Sequence, residues 1–299
     1  MRRFAPEMVL PIVLVCLGCA SDEPVEPVPA TPAVATVASA DGVTIEYETR
    51  GDGPLALVFI HGWMCDRTHW RHQLDVFAEE HAVVALDLAG HGNSGTDRAD
   101  WTIDRFGADV QAVVEALDLP RVILVAHSMG GQVALTAAAG MADRVLGIVG
   151  VDTLHNVEIV IDPDRWDQMM SMYEADFAGT CNNFARAMFP EPTEDPELPD
   201  WVRENMCDAD PQISIAIARQ MPALDHPALL EAASVPVRCI NSVKTGVTEI
   251  ETNRKYGDYD AVLMEGVGHF VMLERPEEFN RLLAEAVEEL TGAIPQKSK

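Results

Sequence analysis

Apolar and polar positions along the chain fall into two rhythms that take turns. "GVTIEYETRG" at 42–51 alternates apolar with polar residues and predicts a strand with one exposed face. "LALVFI" at 55–60, "AVVALDL" at 82–88, "VILVA" at 122–126 and "VLGIVGVD" at 145–152 are apolar almost throughout. Such runs suit strands covered on both faces, as in a parallel sheet. Between them, "HWRHQLDVFAEE" at 69–80 has helical spacing, and "TIDRFGADVQAVVEALDL" at 102–119 reads as an amphipathic helix with Thr102 near its start. A further helix is expected from Met129 to about Ala139. Strand and helix in alternation demand right-handed crossovers and a parallel α/β sheet.

The rhythm breaks over 153–225. "DRWDQMMSMYEADFAGTCNNFARAMF", "LPDWVRENMCDA" and "PQISIAIARQMPAL" read as helices with no strand among them, and "PEPTEDPELP" is a loop between two of them. This stretch is expected to be a helical lid inserted after the sixth strand. Alternation resumes with "VPVRCIN" at 235–241, a helix near 248–256, "DAVLMEG" at 260–266 and a last helix at 276–290.

Composition changes this picture mainly at the N-terminus. The chain has 299 residues, 48% of them apolar, enough for a full-sized core. Residues 1–18, however, read as an export signal: Arg2 and Arg3, then the apolar "VLPIVLVCL" at 9–17, too short to span a bilayer. "LGC" at 17–19 resembles a bacterial lipobox, which implies a lipid on Cys19 and a cell-envelope lipoprotein; plain secretion or a periplasmic protein is the alternative. The proline-rich "SDEPVEPVPATPAVAT" that follows predicts an extended linker over 19–39 and a folded domain from 40 to 299. A net charge of −27 repels nucleic acid and anionic headgroups, so a small molecule is the expected partner, with membrane contact only through Cys19. Cys65, Cys181, Cys207 and Cys239 form no C-x-x-C pair, which argues against zinc. Cys181 and Cys207 lie on two insert helices and are either bridged or free.

The chemistry gathers where strands end. "HGW" at 61–63, "DLAGHGNSG" at 87–95, "AHSMGG" at 126–131 and "GVGHFVMLERPEEFN" at 266–280 follow strands three, four, five and eight. Ser128 has small residues, Ala126 and Gly130, on either side, which a strained strand-to-helix turn requires. Over residues 40–291 the chain resembles the α/β-hydrolase superfamily, in its serine-nucleophile, lid-containing esterase and lipase-like branch. The resemblance implies a mostly parallel central sheet flanked by helices, Ser128 as nucleophile, His269 as base, and the backbone N–H groups of Trp63 and Met129 as oxyanion donors. It implies no cofactor and no metal. His61, His91 and Asp87 are expected to brace loops, and His127 to point away from the chemistry.

The acid is left open. "INSVKTGVTE" at 240–249 lies where the superfamily usually carries it, yet contains no aspartate. Asp152, after strand six, is the first candidate and Glu249 the second; the third reading has no acid at all. A serine at 128 implies acyl transfer to water, whereas relatives that dehalogenate alkanes or open epoxides need a carboxylate there. Hydrolysis of carboxylic esters with small or apolar acyl groups is the expectation. Thioester or C–C cleavage on the same fold, or a weakened envelope binding protein, are the alternatives. Met169, Met170, Met172, Phe177, Phe184, Met188 and Phe189 are the insert residues expected to shape an apolar cleft.

Overall fold

The computed structural model describes Met1 and residues 32–292. Apart from Met1, the stretch read as an export signal and Cys19, where a lipid is expected, lie outside the described residues. Among those described, no helix is long and apolar enough to cross a membrane.

Eight strands form one sheet: β1 (Ala33–Ala38), β2 (Thr44–Arg50), β3 (Ala56–Ile60), β4 (Ala82–Leu86), β5 (Val122–His127), β6 (Val145–Val151), β7 (Val237–Ser242) and β8 (Tyr259–Met264). Their order is β1-β2-β4-β3-β5-β6-β7-β8, antiparallel at β1–β2 and β2–β4 and parallel from β4 to β8. This is the α/β-hydrolase fold. The continuously apolar runs are explained by two cores, one on each face. Ala56, Val58 and Ile60 of β3 enter one core and Leu57 and Phe59 the other; β5 divides Val122, Leu124 and Ala126 from Ile123 and Val125 in the same way.

Strand β1 lies inside the stretch read as linker, so regular structure begins before Ala40. It pairs with β2 from Ala33↔Thr49 to Ala38↔Thr44, but at the sheet edge nearly all its side chains are exposed. An exposed edge strand carries no burial pattern for the sequence to reveal.

Between β6 and β7 the chain forms helices Pro163–Ala175, Phe177–Ala187, Leu198–Cys207, Pro211–Ala218 and His226–Ala233. The long run at 164–189 is two helices rather than one. Asp176 leaves helical geometry (φ −152°, ψ 87°), and its carboxylate accepts from Gly179 N–H at the start of the second. Asp162, Asp210 and Asp225 cap three others, each followed by a proline in the first turn. Residues 69–80 likewise break, into a 3-10 turn at Arg67–Trp70 and a short helix at Leu74–Ala78.

A Cys181–Cys207 disulfide ties the second insert helix to the third, while Cys65 and Cys239 are free and buried. Closing a loop of 26 residues stabilises the fold by about 3 kcal/mol on a chain-entropy argument. Thiol counting on the denatured, unreduced protein should find two free thiols within residues 40–299. The paired Cys181→Ser and Cys207→Ser variant should melt several degrees lower; an unchanged Tm would mean the bridge constrains nothing.

Candidate active site

Sheet order decides which strand ends meet. β3 and β6 flank β5, pairing Ile60↔Ala126 and His127↔Val151. The loops leaving all three therefore converge at the carboxyl edge, where open α/β sheets place their sites. At the end of β5, Ser128 sits at φ 53° in the left-handed region. Its N–H donates to Val151 O (3.0 Å), and its carbonyl accepts from Gly131 N–H (2.9 Å) and Thr153 Oγ1 (2.7 Å). The turn admits no bulk. A Cβ on Gly130 would lie 2.8 Å from the His61 and Ile60 carbonyls, and one on Gly62 would lie 3.0 Å from Ser128 Cβ. Trp63 and Met129 follow these contacts directly, and among the described residues neither backbone N–H has an intramolecular acceptor.

Asp152, next after β6, also adopts positive φ (45°), which turns its carboxylate inward. Oδ2 accepts from His269 Nδ1 at 2.5 Å; Oδ1 accepts from Ser242 N–H at 2.8 Å and Thr245 Oγ1 at 2.7 Å. His155 Nε2 stands 3.4 Å from Oδ1. Burial pushes this carboxyl up, but the hydrogen bonds and charges of His155 and His269 outweigh it and hold it below the usual carboxylate range. The loop after β7 thus supplies no acid and instead donates to the acid of β6. Glu249 starts the short helix Ile250–Asn253, and its carboxylate makes no hydrogen bond or ion pair among the described residues. The structure brings His269 to Asp152 and not to Glu249.

His269 is fixed by its backbone. Its N–H donates to Met188 O (2.9 Å), and its carbonyl lies 3.0 Å from His127 Nε2. Glu274, almost fully buried, accepts from Gly268 N–H (2.8 Å) and Phe270 N–H (3.1 Å) and clamps the loop on both sides. His127 does not face away as expected. Its ring packs 4.6 Å from that of His269, and burial drives it neutral. Asp152 occupies His269 Nδ1, which leaves Nε2 for Ser128. The Ser128 hydroxyl makes no hydrogen bond among the described residues, and hydrogen bonds of this kind often form only once substrate is bound.

The bracing roles follow the sequence reading. His61 Nε2 accepts from Leu88 N–H (2.9 Å), and burial pushes its pKa down to about 3; His91 Nδ1 donates to Ala89 O (3.0 Å), and burial pushes it to about 4. Asp87 accepts from the Arg67 guanidinium and from Asn93 N–H (2.9 Å) across the "GHGNSG" loop.

Ser128 opens on a cavity of about 620 Å³ between the sheet edge and the insert. Trp63, Trp166, Met169, Phe184 and Met221 make much of it apolar. Of the insert residues singled out above, only Met169 and Phe184 line it; Met170 is fully buried, Met172 is exposed, and Phe177, Met188 and Phe189 pack on the core. Trp63 donates from its indole to Ser214 O (3.0 Å) and meets Tyr173 and Phe184 edge-on, joining the site to the insert. Among the described residues no group of three or more His, Cys, Asp or Glu side chains is placed to hold a metal ion. Sequence reasoning missed His155, Ser242 and Glu274, since a partner of a buried carboxylate or loop has no motif of its own.

Residues 57–282 match the family model described as alpha/beta hydrolase family. The chain belongs to that family. It is 26% identical over 254 residues to the dihydrolipoyllysine-residue acetyltransferase component of the acetoin cleaving system of Pseudomonas putida, covering 79% of this chain but only 64% of that one. To 3-oxoadipate enol-lactonase 2 of Acinetobacter baylyi it is 23% identical, over 81% of this chain and 92% of the relative. A thermophilic esterase from Thermogutta terrifontis superposes with a TM-score of 0.75 at 23% identity, covering 86% of this chain and 99% of that structure, a likeness of fold.

If Asp152 orients His269, Asp152→Asn should lower turnover about 10³- to 10⁴-fold with KM little changed, because an amide leaves the imidazole in the wrong tautomer. Glu249→Gln should leave turnover within about twofold. Steady-state kinetics on the two variants decide it, and the opposite pattern would move the acid to Glu249.

Proposed function

We propose that this chain is a serine hydrolase that cleaves carboxylic esters carrying small or apolar acyl groups, through an acyl-enzyme. The observation that carries the reading is Ser128 itself: held at φ 53° on the turn from β5 into its helix, open to an apolar cavity, and hydrogen-bonded to the end of β6, where Asp152 holds His269. In this mechanism His269 Nε2 takes the Ser128 proton as Oγ attacks the ester carbonyl carbon. The oxyanion accepts from the N–H groups of Trp63 and Met129, and His269 returns the proton to the departing alkoxide. Water then enters by the same route in reverse and releases the acid. Asp152 remains ionised throughout and stabilises the imidazolium. The insert acts as a lid whose apolar wall receives the acyl group.

Esterase and lactonase activities named for the relatives support ester chemistry, a lactone being a cyclic ester. The weakened-binding-protein alternative draws on the lack of an aspartate after strand seven; the 2.5 Å His269–Asp152 contact supports the hydrolase reading instead, with the acid from strand six. We further propose, on the sequence alone, that the chain is exported and held at a membrane by a lipid on Cys19.

Ser128 should react with a fluorophosphonate probe and be acylated by short p-nitrophenyl esters. Ser128→Ala should lose both reactions and keep its fold; unchanged turnover in that variant would overturn the assignment. Activity should rise with pH through the titration of an imidazole. Asp152 is already ionised there, being held below the usual carboxylate range, so the acid limb belongs to the base. A rate that falls over the same pH rise would exclude His269 as that base.

A further inference from the structure

Two imidazoles share one carboxylate. Asp152 Oδ2 meets His269 Nδ1 at 2.5 Å, and Oδ1 faces His155 Nε2 at 3.4 Å. Nothing in the proposed reaction uses His155, yet its surroundings fix its ring. His155 Nδ1 lies 3.0 Å from Thr248 Oγ1, a hydroxyl that already accepts from Asn241 Nδ2 at 3.2 Å. Asp152 Oδ1, facing the other ring nitrogen, can only accept, so Nδ1 is the nitrogen that accepts, from the Thr248 hydroxyl. The proton of the neutral ring then sits on Nε2, directed at Asp152 Oδ1 and at Thr245 Oγ1, 3.5 Å away. Thr245 has spent its own proton on Asp152, so it too can accept. The His155 carbonyl is pinned as well, by Glu249 N–H at 2.7 Å and Asn253 Nδ2 at 3.2 Å.

We propose that His155 is a proton-sensitive positioning residue: neutral, it steadies Asp152 toward His269; protonated, it draws that carboxylate's charge away from His269. The effect on rate rests on the serine-hydrolase reading; the sharing of the carboxylate does not. The titratable groups around His155 make the sign clear. Asp152 stands against Nε2, with His269 on its far side. Glu249 and His226 lie on the cavity wall that His155 also lines. Glu158 and Lys244, farther along the same loops, are paired with Lys255 and Glu191. A second cation on Asp152 therefore opposes the first, so a proton on His155 makes His269 a weaker base.

The test is a pH titration of the ring nitrogens by NMR on the full chain, which needs no activity. His155→Gln should move the His269 midpoint upward, because the competing cation is gone. Asp152→Asn should move both histidines downward. Thr248→Val should change the tautomer signature of His155 in an otherwise intact fold. A His269 titration identical in wild type and His155→Gln, or a His155 titration indifferent to Asp152→Asn, overturns the proposal. With p-nitrophenyl acetate, His155→Gln should lower kcat about three- to tenfold, the loss of one close partner of a charged carboxylate, with KM little changed. Its acid limb should shift to higher pH in step with the NMR midpoint. A raised KM at unchanged kcat would overturn the positioning role and leave His155 as cavity wall. Failure of wild-type Ser128 to react with fluorophosphonate would instead defeat the hydrolase reading, and the titrations would still decide the sharing.

Discussion

The parallel pairing of β5 between β3 and β6 is the constraint from which the site follows. Backbone hydrogen bonds hold the three strands in a register that ends all of them at one level. Whatever each strand carries one residue beyond its end is thereby brought within a few ångströms of the others. The elbow makes the dependence literal, because Ser128 N–H completes the β5–β6 ladder by donating to Val151 O. Gly62 and Gly130 have no side chain where one would force β3 and β5 apart.

A carboxylate taken out of water at this junction costs several kcal/mol unless donors replace its hydration. Asp152 is 2% exposed and is given three hydrogen bonds, from Ser242, Thr245 and His269, with His155 just beyond. Two of these donors come from the segment that carries no aspartate of its own. The acid and its supports are thus divided between β6 and β7, and neither strand end is sufficient alone. Asn241 of β7 and Asn253 of the short helix Ile250–Asn253 extend the arrangement by holding the backbone of 153–157.

Strain concentrates in the same place. Ser128, Asp152 and Leu154 all adopt positive φ without being glycine, each at a cost of about 1–3 kcal/mol. Hydrogen bonds on both sides offset it: Thr153 Oγ1 to the Ser128 carbonyl, Asp152 N–H to the Ile240 carbonyl, and Asn253 Nδ2 to the Leu154 carbonyl. Such strain persists only in a rigid frame. The two cores that grip β3, β5 and β6 from both faces provide one.

The alternation of strands and helices, the elbow at Ser128 and the histidine at 269 are legible in the chain alone. Those features are local: hydrophobic period, small residues beside a turn, and motifs contiguous in the chain. The sequence left the acid open between Asp152, Glu249 and none, it hid β1 in a proline-rich stretch, and it merged two insert helices across Asp176. Each of these depends on partners distant in sequence. β1 is a strand only because β2 lies alongside it. Asp152 reaches His269 across 117 residues, and His155 shares that carboxylate because Thr248, 93 residues on, orients its ring. Those contacts arise on folding, since a hydrogen bond between side chains is set by distance in space, which no spacing along the chain encodes.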